Sequence, residues 1–191
     1  MFFFLCQFFF FKTKKKQQKK RMKSIFNFIE ENDFPDFLEN GSDSEINLNS
    51  FHYAVWHGHE DFLEYFLGKK PELVDSQLKA YTALTRAICC NHYSIVKFLL
   101  KNGANPNLKQ IHQFSPLDIC ILRNKKDFAR LLLENGAKPS PSSLSLAAMI
   151  DSLEMCELLI EFKASLKTTL FDNVIPFDFA NDPDVLEILK I

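Results

Sequence analysis

Two stretches of this chain, YTALTRAICCNHYSIVKFLLKNGANPN at 81–107 and FSPLDICILRNKKDFARLLLENGAKPS at 114–140, align position by position at a spacing of 33 residues. Thr82/Ser115, Leu99/Leu132, Gly103/Gly136 and Pro106/Pro139 all keep that spacing. One period upstream of Thr82 lies Asn49, in NSFHYAVWHGHEDFLEYFL, which puts Phe66-Leu67 under Leu99-Leu100. Downstream, SSLSLAAMIDSLEMCELLIEFKA begins at Ser142, 27 residues after Ser115, and Ile175 in IPFDFANDPDVLEIL follows 33 later. A period of this length marks a stacked architecture, in which each unit buries its apolar face against its neighbours instead of around one closed core.

Each unit reads as a pair of helices. Thr82 and Ser115 are N-cap residues, and Pro116 occupies the first helical position, where a missing N–H leaves nothing unsatisfied. A short first helix is apolar on one side: Leu84, Ala87 and Ile88, or Leu117, Cys120 and Ile121. A polar break follows at Asn91-His92 or Asn124-Lys125, and the second helix carries Ile95, Val96, Leu99 and Leu100 at helical period. Gly103 and Gly136 end the second helices, as left-handed C-terminal caps do. Pro, Asn and Gln between units supply turns.

These residues resemble the ankyrin repeat, whose signature is T-P-L-H-x-A…G-H…L-L-x-x-G-A. The hexapeptide stands here as NSFHYA (49–54), TALTRA (82–87), SPLDIC (115–120), SSLSLA (142–147) and IPFDFA (175–180). The G-H step is Gly58-His59, then Asn91-His92 and Asn124-Lys125, and the end motif is LLKNGA (99–104) and LLENGA (132–137). The resemblance implies an all-α ankyrin-repeat solenoid of antiparallel helix pairs, joined by turns or short β-hairpin-like loops. Repeats are expected at about 49–81, 82–114, 115–141 and 142–174, with partial units at 24–48 and 175–191, all within one domain at 22–191. In the N-terminal partial unit Phe37-Leu38 and Gly41 take the LL…G places. The fourth repeat is six residues short before its first helix, and the last lacks about three residues between helices. Terminal units of solenoids are commonly atypical because they cap the stack.

Composition matters mainly at the head of the chain. Seven of the 21 Phe fall in the first eleven positions, followed by KTKKKQQKKR. Residues 1–21 carry seven basic side chains and no acids, so 22–191 holds 23 − 7 = 16 basic against 24 acidic residues, a net charge of −8. A domain of that charge repels phosphate backbones, and no nucleic-acid partner is expected. The head itself has three readings: a disordered stretch or one outside the working protein, with Met22 as the start; a tether to an anionic membrane; or a secretion signal, which its charge order and lack of a small-x-small cleavage site oppose. About eleven apolar residues reach only about 16 Å as a helix, roughly half a bilayer core. Membrane contact is therefore expected only through this segment. The five Cys form no C-x-x-C pair and are odd in number, which suits a reducing compartment, the cytoplasm or the nucleus, with a monomeric chain.

Chemistry-bearing clusters are sparse. His52, His57 and His59 suggest a metal, but the resemblance gives His52 and His59 hydrogen-bonding roles, and His92 the same role as His59. Cys89-Cys90 lacks a second ligand pair, while Cys120 and Cys156 read as core, so no metal is expected. No nucleophile elbow, P-loop, H-E-x-x-H or Gly-rich dinucleotide turn is present, so neither an enzyme nor a cofactor is expected. By the resemblance, a protein partner docks on the concave face, as it would on an adaptor, an inhibitor or an assembly chaperone. First-helix ends bring Trp56 and His57, Cys89 and Cys90, Leu122 and Arg123, then Met149 and Ile150 to that face. Turn tips bring Lys79, Ala80 and Tyr81, then His112, Gln113 and Phe114. Trp56 is the only Trp, and Trp and Arg are common binding hot spots. Two alternatives stand beside that reading: Trp56 packs on the N-terminal unit, and Met149-Ile150 on the shortened fourth turn.

Overall fold

A computed structural model describes residues 23–109, 114–166 and 175–190. Successive helices pair along the chain: α1 (Ile25–Glu30) with α2 (Phe34–Asn40), α3 (Leu48–His57) with α4 (Glu60–Lys69), and α5 (Ala83–Cys89) with α6 (Tyr93–Lys101). Then α7 (Pro116–Leu122) pairs with α8 (Lys126–Glu134) and α9 (Ser143–Met149) with α10 (Leu153–Glu161). A 3-10 turn at Pro176–Phe179 and α11 (Pro183–Leu189) follow. First helices stack on first helices, α1 on α3, α3 on α5, α5 on α7 and α7 on α9, and the second helices form a parallel layer behind them. The expected all-α stack of helix pairs is what folds.

The hexapeptide dictates the packing. Its final small residue, Ala54, Ala87, Cys120 and Ala147 in turn, is fully buried where the two layers meet. Its third residue, Phe51, Leu84, Leu117 and Leu144, is buried at 0–1% exposure in four units, and Phe177 is half-buried in the last. Leu99, Leu132 and Leu159 line up the second layer in the same way, all at 0%. Burial of each such side chain contributes about 1.5–3 kcal/mol, and the columns distribute that gain along the stack.

The turn between the helices of a pair uses a left-handed residue in each unit: Asn32 (φ 53°), Gly58 (78°), Asn91 (66°), Asn124 (48°) and Asp151 (48°). Asn and Asp tolerate this region better than other side chains, so the loss of Gly from the G-H step keeps the backbone geometry. At Gly58 a side chain is excluded twice over, because a Cβ there would lie 2.9 Å from Cε1 of His92. The residue after the turn then reaches the preceding unit. His92 Nε2 donates to the Trp56 carbonyl at 2.9 Å, and Lys125 Nζ donates to the Ile88 carbonyl at 3.1 Å and to Asn91 Oδ1 at 2.7 Å. In the fourth unit Ser152 Oγ donates to Asn124 Oδ1 at 2.7 Å. Gly103 (φ 87°) and Gly136 (86°) are the left-handed caps expected of them, and Lys163 (60°) holds that place in the fourth unit.

The register slips at several places, each with a local cause. The N-cap of α3 is Asn47, which accepts from the backbone N–H of Asn49 and Ser50, so the cap lies two residues ahead of the 33-residue mark at Asn49. Gly41 follows α2 with an extended backbone (φ −77°, ψ 171°), not a left-handed one. Its lack of a Cβ instead makes room for the Phe37 ring. Leu38, in the place of a buried Leu, is 54% exposed, because Phe37 alone enters the aromatic cluster with Phe28, Phe34, Phe62 and Tyr65. In the last unit the first helix is reduced to the 3-10 turn, closed by Asp178 accepting from the Ile175 N–H at 2.9 Å.

Between the second and third pairs the connection is a two-residue antiparallel hairpin, β1 (Gln77–Leu78) on β2 (Tyr81–Thr82). Lys79 (φ 50°) and Ala80 (75°) both turn left-handed at its tip, the geometry that matches the twist of the flanking strands. The equivalent tip in the next unit, with His112 and Gln113, lies outside the described residues, as do the Phe and Lys runs at 1–21. Among the described residues no helix is long and apolar enough to cross a membrane.

Candidate functional site

The inner layer presents two columns of residues where its helices end. Trp56, Cys89, Leu122 and Met149 form one, His57, Cys90, Arg123 and Ile150 the other. In the first column Trp56 (56%), Leu122 (41%) and Met149 (51%) are exposed and Cys89 is half-buried. Beside them the hairpin projects Lys79 and Tyr81, both exposed, and Phe114 is exposed just ahead of the Ser115 cap.

One side chain that the sequence reading passed over organises this face. Arg86 donates from Nε to Nδ1 of His52 at 3.2 Å and from Nη2 to the Leu78 carbonyl at 3.4 Å. Its guanidinium carbon sits 5.8 Å from the Trp56 ring centre and 6.0 Å from that of Tyr81, within cation–π range of both. His52 is buried at 1% exposure, and its Nε2 contacts the Ser76 carbonyl at 3.2 Å. Accepting at Nδ1 from Arg86 assigns the proton to Nε2, which donates to Ser76. Burial, and secondarily the Arg86 charge, push the His52 pKa down to about 4, so the imidazole is neutral at pH 7. The chain thus holds a guanidinium rigidly at its inner face against two neutral acceptors.

Trp56, Tyr81, Arg86, Cys89, Cys90 and Arg123 enclose a cavity of about 300 Å³. Arg123 is exposed at its rim, its Nη1 3.5 Å from the Cys89 carbonyl. A second cavity of about 320 Å³ shares Trp56 and Arg86 and runs past Tyr53, Leu78 and Lys79 to Phe26. The fold therefore brings Trp56, Tyr81, Cys90 and Arg123 together, with Lys79 one cavity away. His57 turns elsewhere, its ring 4.5 Å from Tyr53 and stacked on His59 at 5.9 Å. Leu122, Met149 and Ile150 continue the columns beyond the cavity. On α1, Phe26 meets Tyr53 edge to face at 5.2 Å. The signal for Arg86 was present in the hexapeptide, because its variable fifth position, Tyr53, Arg86, Ile119 and Leu146 in turn, lies two residues from the buried third.

Three of the thiols, Cys90, Cys120 and Cys156, are held protonated by their surroundings. Burial raises the Cys90 pKa, with the neighbouring Cys89 adding to it. Burial also pushes Cys120 and Cys156 up to about 12, which keeps them protonated at neutral pH. Among the described residues no three His, Cys, Asp or Glu side chains are grouped so as to hold a metal ion.

Compared with known families, residues 51–143 match the model described as Ankyrin repeats, in three copies. A comparison with curated proteins finds no match.

Proposed function

Since this chain is an ankyrin-repeat protein, carrying a fold that generally serves as a non-catalytic protein-interaction module, we propose that it grips one protein partner on the face made by its first helices and hairpin. The observation that carries this reading is Trp56, more than half exposed yet lying against an Arg86 that is itself held by His52 and Leu78. A large aromatic side chain kept at the surface on a rigid support is the arrangement of a binding hot spot, since little conformational freedom is left to lose on docking. Adaptor, inhibitor and assembly-chaperone roles all draw on such a face.

Affinity capture from cell extract with the wild-type chain and with a Trp56→Ala/Arg123→Glu double variant tests the assignment. Both side chains are exposed, so the variant should keep its helical circular dichroism and lose the partner. Equal recovery of the same partner by two folded proteins would place the interface elsewhere.

A further inference from the structure

Charge is segregated between the two layers. Of the described first helices, α3, α5, α7 and α9 carry one carboxylate among them, Asp118, buried at 3% exposure, and α1 adds Glu30 at its end. The second helices behind them carry Glu60, Asp61 and Glu64 on α4, Asp127 and Glu134 on α8, and Glu154, Glu157 and Glu161 on α10. Within a domain of net charge −8, the cavities on the first-helix face are instead lined by Lys79, Arg86 and Arg123. Neither cavity lining contains an acidic residue.

The cations of this face have no ion-pair partner among the described residues. Ion pairs among the described residues engage Lys23, Lys69, Lys126 and Arg130, all away from the two cavities. Among the described residues, Arg86 and Arg123 meet only neutral acceptors, His52 Nδ1 and the carbonyls of Leu78 and Cys89. A half-buried guanidinium with no counter-ion favours a carboxylate arriving from outside, and the planar donor edge of Arg suits one. Around it Trp56, Tyr81, Cys89 and Cys90 offer apolar surface. The chain's own head does not fit, since residues 1–21 are basic and hold no acid.

Resting on the reading that this face binds a protein, we propose that the cavity between Trp56 and Arg123 takes an acidic peptide segment of the partner. A carboxylate engages Arg86 and Arg123, and the apolar side chain next to it lies against Trp56 and Tyr81.

A random-peptide phage library panned on the immobilised full chain provides the test, followed by fluorescence anisotropy with the selected peptides. Selected peptides should carry Asp or Glu beside an aromatic or aliphatic residue, and their affinity should fall as NaCl is raised from about 50 to about 300 mM. Arg123→Glu should weaken them at least about tenfold, and replacing the peptide acid by Lys should restore binding to that variant. Trp56→Ala should weaken them independently of salt. Peptides without acids that still depend on Trp56 would overturn the acidic assignment and leave the docking face standing. Peptides indifferent to both substitutions would overturn the docking face itself. Selection of acidic peptides that bind Arg123→Glu as tightly as wild type would also sink the proposal.

Discussion

His52 carries the clearest consequence at the scale of a single residue. Its folded pKa is pushed down to about 4 from an ordinary 6.5, so between those values the unfolded chain binds more protons than the folded one. Stability is therefore complete above pH 6.5 and is lost progressively as pH falls toward 4, with a slope of up to about 1.4 kcal/mol per pH unit. Urea denaturation across that window should show the slope in wild type and a shallower one in His52→Gln. His59, lowered chiefly by burial, adds in the same direction, so His59→Gln separates the two. Parallel curves for wild type and His52→Gln would contradict the buried neutral imidazole. That His52 bonds between units was readable from its place in the hexapeptide. That its partner is Arg86, 34 residues on, was not, because the partnership depends on how far one helix is translated over the next.

At the scale of elements, caps and turns explain why divergent copies keep one shape. Asn32, Asn91, Asn124 and Asp151 replace Gly at the reversal without cost to the geometry, so a weakened motif conceals an intact turn. Asp118 shows the opposite case, a local cap recruited for tertiary work. It caps Ser115 through the backbone N–H at 2.9 Å and the hydroxyl at 2.7 Å, and its other oxygen accepts at 3.1 Å each from Ser140, in the connection, and Ser143, in the next unit. These bonds fasten the shortened fourth connection where six residues are missing. Asp118→Ala should cost about 2–3 kcal/mol, combining a lost cap with donors left unsatisfied. Asp178→Ala, at the same hexapeptide position but exposed, should cost less than about 1 kcal/mol. Chemical denaturation of both variants checks this, and equal losses would refute the cross-unit role. The hairpin tip at Lys79-Ala80 had no comparable signal, since neither residue favours the left-handed region and the stacked units on either side hold it there.

For the whole molecule, stability is a sum of units and nearest-neighbour interfaces. The pairs α5–α6 and α7–α8 are packed on both sides, whereas α11 rests on α10 and on a first helix shortened to one 3-10 turn. Hydrogen exchange read by mass spectrometry should find the slowest amides in α5–α8 and clearly faster ones at 176–189. Uniform protection would mean that the stack opens only as a unit. The sequence by itself determined the stacked helix pairs, their buried columns and the acidity of the domain, because period, caps and apolar spacing are local properties of the chain. Only the tertiary structure decided that Arg86 lies between Trp56, Tyr81 and His52, and that Arg86 and Arg123 meet at one cavity whose lining holds no acid. Those relations join residues about 30 positions apart, and they exist only once each unit has settled on its neighbour at one particular offset.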